Sequence, residues 1–263
     1  MNYYLSEMLI ETVELFMLVL VRMTGMFVVS PIFGRRNLPL YYKIGFAFFL
    51  ALLVTSSNTI SLPETGGTTI EYAIIVAKEL IIGMMIGFIP YLMFSCIYLA
   101  GQIIDMKIGF GMVNVLDPES NTQIPVTANF YFMLCMIIFI TLNAHHSIVK
   151  TIFISYEIIP AGHINIDGSV VTGYIRLFSD IFITGIRLAA PIIFTLMLAD
   201  IAMGIIAKAM PQMNIFIVGM PLKILVGLLI IIVTLPVVFL ILRELFGEIE
   251  GETINFMRGI GAS

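Results

Sequence analysis

Six long apolar stretches that carry few charges follow one another along the chain, separated by short polar connections. The last stretch has 19 uncharged residues between Lys223 and Arg243. At 1.5 Å per residue it is about 30 Å long, which matches the hydrocarbon core of a bilayer. The pattern therefore predicts six membrane-spanning helical segments. They are residues 15–33, 44–62, 73–104, 127–159, 175–210 and 224–242.

The third, fourth and fifth segments are too long for simple upright spans. Prolines also interrupt the third, fifth and sixth segments, at Pro90, Pro191 and Pro236. Proline removes a helical hydrogen bond, and in a membrane the freed backbone groups must find partners within protein. We therefore expect an all-α integral membrane protein of about six long, tilted or broken helices arranged as hairpins.

The composition supports a membrane protein and excludes several other classes. Hydrophobic residues make up 60% of the 263 residues, and only 11% are charged, against about 25% in soluble domains. A mean hydropathy of +1.07 excludes a disordered chain, and a net charge of -4 argues against nucleic-acid binding. Cys96 and Cys135 have no metal-like spacing and are expected to be buried thiols. We expect a single membrane-embedded domain over residues 1–263, with no soluble domain.

Basic and aromatic residues between the first two segments indicate an orientation. Arg35, Arg36 and Lys43 cluster there, which favours the cytoplasmic side for this connection. Tyr41 and Tyr42 lie beside them, as expected of residues at the membrane interface.

Charges inside the apolar segments each need a partner or a wet cavity, because insertion of a charge costs about 2.5–3.5 kcal/mol. On one helix, Arg176, Asp180 and Arg187 fall within about 40° of one another. They form a stripe that faces a channel or a partner subunit, unless the first two merely reach the membrane interface. Arg22 lies in line with Glu11, so these two pair or both face another subunit. The charged residues that lie within the apolar segments are Arg22, Lys78, Glu79, Arg176, Asp180, Arg187, Asp200 and Lys208.

Glu79, Gly83 and Gly87 follow one another at steps of four residues and share one helix face. Two small residues spaced in this way allow another helix to approach closely. The spacing therefore predicts a packing interface on this face.

The adjacent His145 and His146 suggest a metal site or a proton relay. Neighbouring helix positions point about 100° apart, and no acidic or cysteine ligand follows at the next turn. A structural or interfacial role is the better interpretation. The chain has no motif for nucleophilic, metal or phosphate chemistry, so its residues offer no visible constellation for metal or nucleophilic catalysis, and we expect no catalytic residue, no metal and no cofactor.

An apolar stretch over residues 101–118 separates two strongly hydrophobic segments and does not resemble a solvated loop. Gly109 and Gly111 flank Phe110 and disfavour a helix, and Asp117-Pro118 marks a turn. Irregular backbone at membrane depth must be covered by protein or line a pore. The stretch is therefore either a plug that closes a conduit or a buried re-entrant loop. The candidate plug residues are Gly109, Phe110, Gly111, Met112, Val113, Asn114, Val115, Leu116, Asp117 and Pro118.

Six ordered motifs resemble those of the FliR family of flagellar export-gate proteins, whose injectisome counterparts are closely similar. The motifs cover residues 22–45, 79–110, 117–118, 143–146, 191–204 and 211–223. Among them are Ser30-Pro31-Ile32-Phe33-Gly34 and Pro211-Gln212-Met213-Asn214. Each motif alone is weakly specific, but their order and spacing over nearly the whole chain are specific.

The resemblance implies a subunit without enzymatic activity that assembles with FliP-like and FliQ-like proteins into a hetero-oligomeric helical ring. The ring lies at the flagellar basal body in the bacterial inner membrane and is the entry channel for unfolded flagellar proteins. FlhA-like and FlhB-like proteins are further expected partners, and the loop from Gly109 is expected to be the channel plug. The residues expected at subunit interfaces or in buried polar contacts are Arg22, Glu79, Gly83, Gly87, Asp105, Arg187, Asp200, Gln212 and Lys223.

Three alternatives remain open at this point, of which the most distant is a membrane enzyme that uses His145 and His146. The chain could belong to an injectisome instead of a flagellum. It could also be an ion-coupled solute transporter that uses Glu79, Arg187 and Asp200 as a polar pathway, although we find no convincing internal repeat.

Overall fold

The computed structural model describes residues 2–34, 39–57, 68–110, 125–164, 168–212 and 214–261. They form eight α-helices, which confirms the predicted all-α membrane fold. Four stretches are long and apolar enough to cross a membrane, or five if the bent pair α4–α5 counts as one span. The helices are α1 (Asn2–Val29), α2 (Leu40–Ser56), α3 (Thr69–Ile108), α4 (Val126–Thr141), α5 (Ala144–Ile158), α6 (Gly168–Ala209), α7 (Ile215–Gly247) and α8 (Ile249–Gly261).

The helices are not interrupted where the prolines predict. Helices α3 and α6 continue through Pro90 and Pro191, and α7 continues through Pro236. The break lies instead between α4 and α5. Asn143 occupies the left-handed region there, with φ of 56°. Asparagine tolerates this conformation better than most residues, so it can end one helix and start another.

Helix α8 is absent from the six predicted segments. It carries Glu250, Glu252 and Arg258, so a search for uncharged stretches does not detect it. Its apolar residues lie on one face instead, with Phe256, Met257 and Ile260 buried. An amphipathic helix of this kind is stabilised by packing against protein.

The chain divides into two compact units. The first comprises residues 1–92, 143–177 and 248–263. In it, α2 packs on α1 and α8 packs on α5. Lys150 and Glu250 form an exposed ion pair at 2.6 Å between α5 and α8. The Tyr174 ring meets the edge of the Phe256 ring with centroids 4.3 Å apart.

The second unit comprises residues 93–142 and 178–247. Its core contains Phe94, Phe139 and Phe246, whose ring centroids lie 5.2–5.5 Å from one another. Cys96 and Cys135 are buried free thiols, as the sequence predicts.

The helices differ greatly in how much of their apolar surface the chain itself covers. In the most apolar part of α3, 61% of residues are buried, whereas the corresponding values are 17% for α6 and 22% for the stretch that begins in α7. Extended apolar surface of this kind requires lipid or protein partners.

Candidate functional site: buried polar contacts and the end of α3

A fully buried ion pair lies between α1 and α3. Arg22 Nε donates to Glu79 Oε2 at 2.6 Å, and Arg22 Nη2 donates to Glu79 Oε1 at 3.0 Å. Both side chains are 0% exposed. Because the two hydrogen bonds are parallel, the contact is the strong bidentate form of an arginine–carboxylate pair. The structure thus pairs Arg22 with Glu79, whereas Glu11 is exposed.

Helix α5 and the turn after it complete the contacts of Arg22. Arg22 Nη1 donates to Ser155 Oγ at 3.0 Å, and Nη2 donates to the Ile159 carbonyl at 3.2 Å. The guanidinium carbon lies 3.6 Å from the centroid of the Tyr156 ring. A buried charge is tolerated when its donors are satisfied in this way.

The carboxylate of Glu79 also holds the turn between α5 and α6. The Gly162 amide donates to Oε1 at 2.8 Å, and the Tyr156 hydroxyl donates to Oε2 at 3.3 Å. The neighbouring Lys78 donates to the Gly162 carbonyl at 3.2 Å. Sequence reasoning missed Tyr156 and Gly162. The available signal in the sequence was Pro160-Ala161-Gly162, a composition typical of turns. In the structure Gly162 has φ of 76°.

The glycine face of α3 packs directly on the backbone of α1. A Cβ at Gly83 would overlap the Arg22 carbonyl, and one at Gly87 would lie 2.6 Å from the Met26 carbonyl oxygen. In return, a Cβ at Gly25 would lie 2.5 Å from the Leu80 carbonyl oxygen. The close approach predicted from the glycine spacing is therefore made within this chain, and it brings Arg22 within reach of Glu79.

Asp105 near the end of α3 caps the start of α4. Its Oδ1 accepts the Thr127 amide at 2.8 Å, and its Oδ2 accepts the Ala128 amide at 3.2 Å. Pro125 at the cap position makes no side-chain hydrogen bond. A carboxylate at a helix N-terminus satisfies unpaired amides and complements the helix dipole. Gly101, one turn earlier, permits this contact because a Cβ there would overlap Ala128.

Helix α3 extends further toward the candidate plug than the sequence indicates. Residues 105–108, which lie beyond the predicted segment 73–104, are helical because the glycine conformation intervenes only at Gly109, with φ of 101°. The buried Ile108 fills the space beside Gly227, where a Cβ would lie 2.7 Å from Ile108 Cγ1. Phe110 is half-buried. The remaining candidate plug residues, 111–118, lie outside the described residues.

Another ion pair joins Lys223 of α7 to Asp200 of α6 and lies beside the end of α3. It borders a cavity of about 360 Å³. The other cavity residues are Met106, Lys107, Ile108, Gly109, Met203, Gly204, Ala207, Gly219 and Met220. The cavity thus combines one ion pair with mainly apolar walls.

The remaining candidate residues are placed at the surface. Arg176, Asp180 and Arg187 are all exposed on α6, and Gln212 is exposed in the turn before α7. They therefore take no part in the buried contacts described above.

The adjacent histidines do not form a metal centre with other side chains of the described part of the chain. His145 is half-buried and His146 is exposed, with ring centroids 4.2 Å apart. Among the residues that the structure describes, no group of three histidine, cysteine or acidic side chains could hold a metal ion.

Comparisons with known proteins assign the chain to a family. The model of bacterial export proteins, family 1, matches residues 13–249. The flagellar biosynthetic protein FliR of Bacillus subtilis (strain 168) is 34% identical over 97% of this chain and 99% of its own length. FliR of Escherichia coli (strain K12) is 27% identical over 93% of each chain, and FliR of Aquifex aeolicus (strain VF5) is 27% identical over 83% of this chain and 84% of its own. The protein therefore belongs to bacterial export protein family 1, among the flagellar FliR proteins.

Proposed function

We propose that this protein is a subunit of the flagellar type III export gate. It contributes wall and plug to the channel through which unfolded flagellar proteins pass, and it acts as one membrane-embedded domain in the bacterial inner membrane. FliP-like and FliQ-like proteins complete the ring, and FlhA-like and FlhB-like proteins join it. The protein has no catalytic role of its own.

The observation that carries this proposal is the coincidence of exposed charge with exposed apolar surface on α6. Arg187 is exposed among exposed apolar neighbours such as Phe182 and Ile186. In lipid this arginine would cost several kcal/mol, on the order of 2.5–3.5 on insertion scales. A partner helix or an aqueous conduit removes that cost, and a ring of subunits offers both.

The geometry at the end of α3 supports a plug that begins at Gly109. Asp105 is fixed by two amides of α4, and Ile108 is fixed against Gly227. The base of the proposed plug is therefore held by packing and hydrogen bonds. Gly109, in the left-handed region, then turns the chain away from the helix axis.

Co-expression with FliP-like and FliQ-like proteins tests the proposal. The tagged chain is extracted in detergent, and the native mass of the purified material is measured. We expect one large complex that contains all three proteins, and a reduced yield of that complex for Arg187→Glu. Lys208→Glu is the matched control, because it makes the same charge change in the last turn of the same helix. A solitary, well-behaved monomer or homodimer contradicts the proposal.

The transporter alternative receives no support from Glu79. A coupling carboxylate must exchange its ion, but both oxygens of Glu79 are engaged by Arg22, Tyr156 and Gly162. The injectisome alternative concerns the same kind of gate, and the family relatives named above are all flagellar proteins.

A further inference from the structure

Helix α6 presents two opposite faces within the second unit. On one face Leu196 is buried, and Gly185 packs closely on α3, since a Cβ there would lie 2.9 Å from the Cys96 carbonyl oxygen. Gly185 and Leu196 lie about 160° and 180° around the helix from Arg187. The face that carries Arg187 therefore points away from the side on which α6 packs against its own unit.

Exposed side chains on this outer face recur every seven residues. Seven residues turn an α-helix to within about 20° of two full turns, so side chains at this spacing form a nearly straight line. A second exposed series follows the first at an offset of three residues, and alternating steps of three and four residues are typical of helices that pair with another helix. The first series is Asp180, Arg187, Phe194 and Ile201, and the second is Ile183, Ala190 and Met197.

Two members of the first series are charged. Within the part of the chain that the structure describes, neither the Asp180 carboxylate nor the Arg187 guanidinium has an ion-pair or hydrogen-bond partner. Lipid tails offer no counter-charge to either group. Water solvates them but does not favour Phe194 and Ile201, which are 66% and 58% exposed in the same line. A protein helix can complement both the charged and the apolar members of the series.

We infer that this face of α6 pairs with an apolar α-helix of another gate subunit, which carries a carboxylate opposite Arg187 and a basic side chain opposite Asp180. This pairing rests on the proposed function, since the other gate subunits supply the partner helix. Asp180 and Arg187 are seven residues apart, so the two complementary groups on the partner lie about 10.5 Å from each other along its axis. Charged groups within such a contact select one partner and one register.

Site-specific photocrosslinking in the co-expressed complex tests the pairing. Photoreactive benzoylphenylalanine replaces Phe194 in the exposed line. In the matched control it replaces Phe182, which is 41% exposed but lies about 140° around the same helix from Arg187. After illumination, the complex is purified through the tag, and the crosslinked peptides are identified and quantified. We expect the Phe194 position to label one apolar helix of another subunit that carries an acidic residue, and to label it several times more strongly than the Phe182 position does.

Charge variants then test the role of Arg187. Arg187→Glu should lower the crosslink from the Phe194 position about fivefold or more, because it places two like charges opposite each other, whereas Arg187→Lys should retain most of it. Arg243→Glu makes the same charge change at an exposed arginine of α7 and should leave the crosslink unchanged. Reversing the charge of the acidic residue in the labelled helix, together with Arg187→Glu, should restore the crosslink. A purely structural role of Arg187 would not produce this rescue.

Several results would overturn the pairing. They are crosslinks from the Phe194 position that spread over several subunits, that reach a second copy of this chain, or that are no more frequent than those from the Phe182 position. A labelled helix without an acidic residue would overturn it as well. The native mass of the parent complex separates this failure from failure of the proposed function. A complex of the expected mass without the crosslink overturns only the pairing, whereas absence of the complex overturns both.

Discussion

Replacing Glu79 with leucine should strongly destabilise the first unit. The change leaves the Arg22 guanidinium fully buried without its counter-charge, and it removes the acceptor of the Gly162 amide. Removing one partner of a buried ion pair costs about 3–5 kcal/mol, because the remaining charge is uncompensated. For a chain of this size, about 1 kcal/mol lowers the melting temperature by roughly 2–4 °C. We therefore expect Glu79→Leu to lower the melting temperature by an amount on the order of 10 °C.

The assay heats a fluorescently tagged chain in detergent. Size-exclusion chromatography then measures how much of the monodisperse peak has been lost. Glu250→Leu is the matched control within the same unit. It also breaks an ion pair, the one between Lys150 and Glu250 at 2.6 Å. Lys150 is 64% exposed, however, so water can solvate the charge that remains. Exposed pairs contribute about 0–1 kcal/mol, so the control should melt within about 4 °C of the parent protein.

A double variant separates the stability that is lost through an uncompensated buried charge from the stability that is lost through poorer packing. In Arg22→Met with Glu79→Leu, no uncompensated charge remains, so the double variant should be more stable than Glu79→Leu alone. Two results would refute the reasoning. One is a Glu79→Leu protein that melts together with the Glu250→Leu control. The other is a double variant whose loss equals the sum of the two single losses, because contacting residues should be coupled.

Three other changes test separate contacts. Asp105→Ala should destabilise the protein by about 1–2 kcal/mol through loss of the α4 cap, and Asp105→Asn should recover part of the loss of melting temperature. Gly83→Leu should prevent close packing of α1 and α3 and so reduce the yield of folded protein and of the export complex; a normal yield would contradict the packing. Deletion of residues 109–117 should leave the complex assembled but make the membrane leaky to small ions, and an unchanged conductance would count against the plug.

The sequence predicts helices well where they are apolar and poorly where tertiary contacts shape them. The uncharged stretches identify the cores of α1, α3, α6 and α7. They do not identify α8, whose stability depends on a buried face and not on an uncharged run. Nor do they locate the break at Asn143, because a left-handed asparagine has no periodic signature, whereas the prolines that appeared to mark breaks lie inside continuous helices.

The polar contacts show the same limit. Helical periodicity relates Arg22 only to residues on its own helix, such as Glu11. Its actual partner, Glu79, is 57 residues away and becomes adjacent only because glycines allow α1 and α3 to touch. The glycine spacing and the buried charge were each visible in the sequence, but the link between them depends on the packing of two helices.

The charged residues of the apolar helices therefore serve two different purposes. Arg22 and Glu79 satisfy each other inside the chain, so they stabilise the subunit whether or not it is assembled. Arg187 and Asp180 lie on an exposed helix face, where their cost in lipid remains until a partner or water covers them. A subunit that kept every charge satisfied internally would gain nothing from assembly at this face. Charge that is exposed on an apolar helix is costly in lipid, so the assembly that we propose, which covers this face, would be more stable than the isolated subunit.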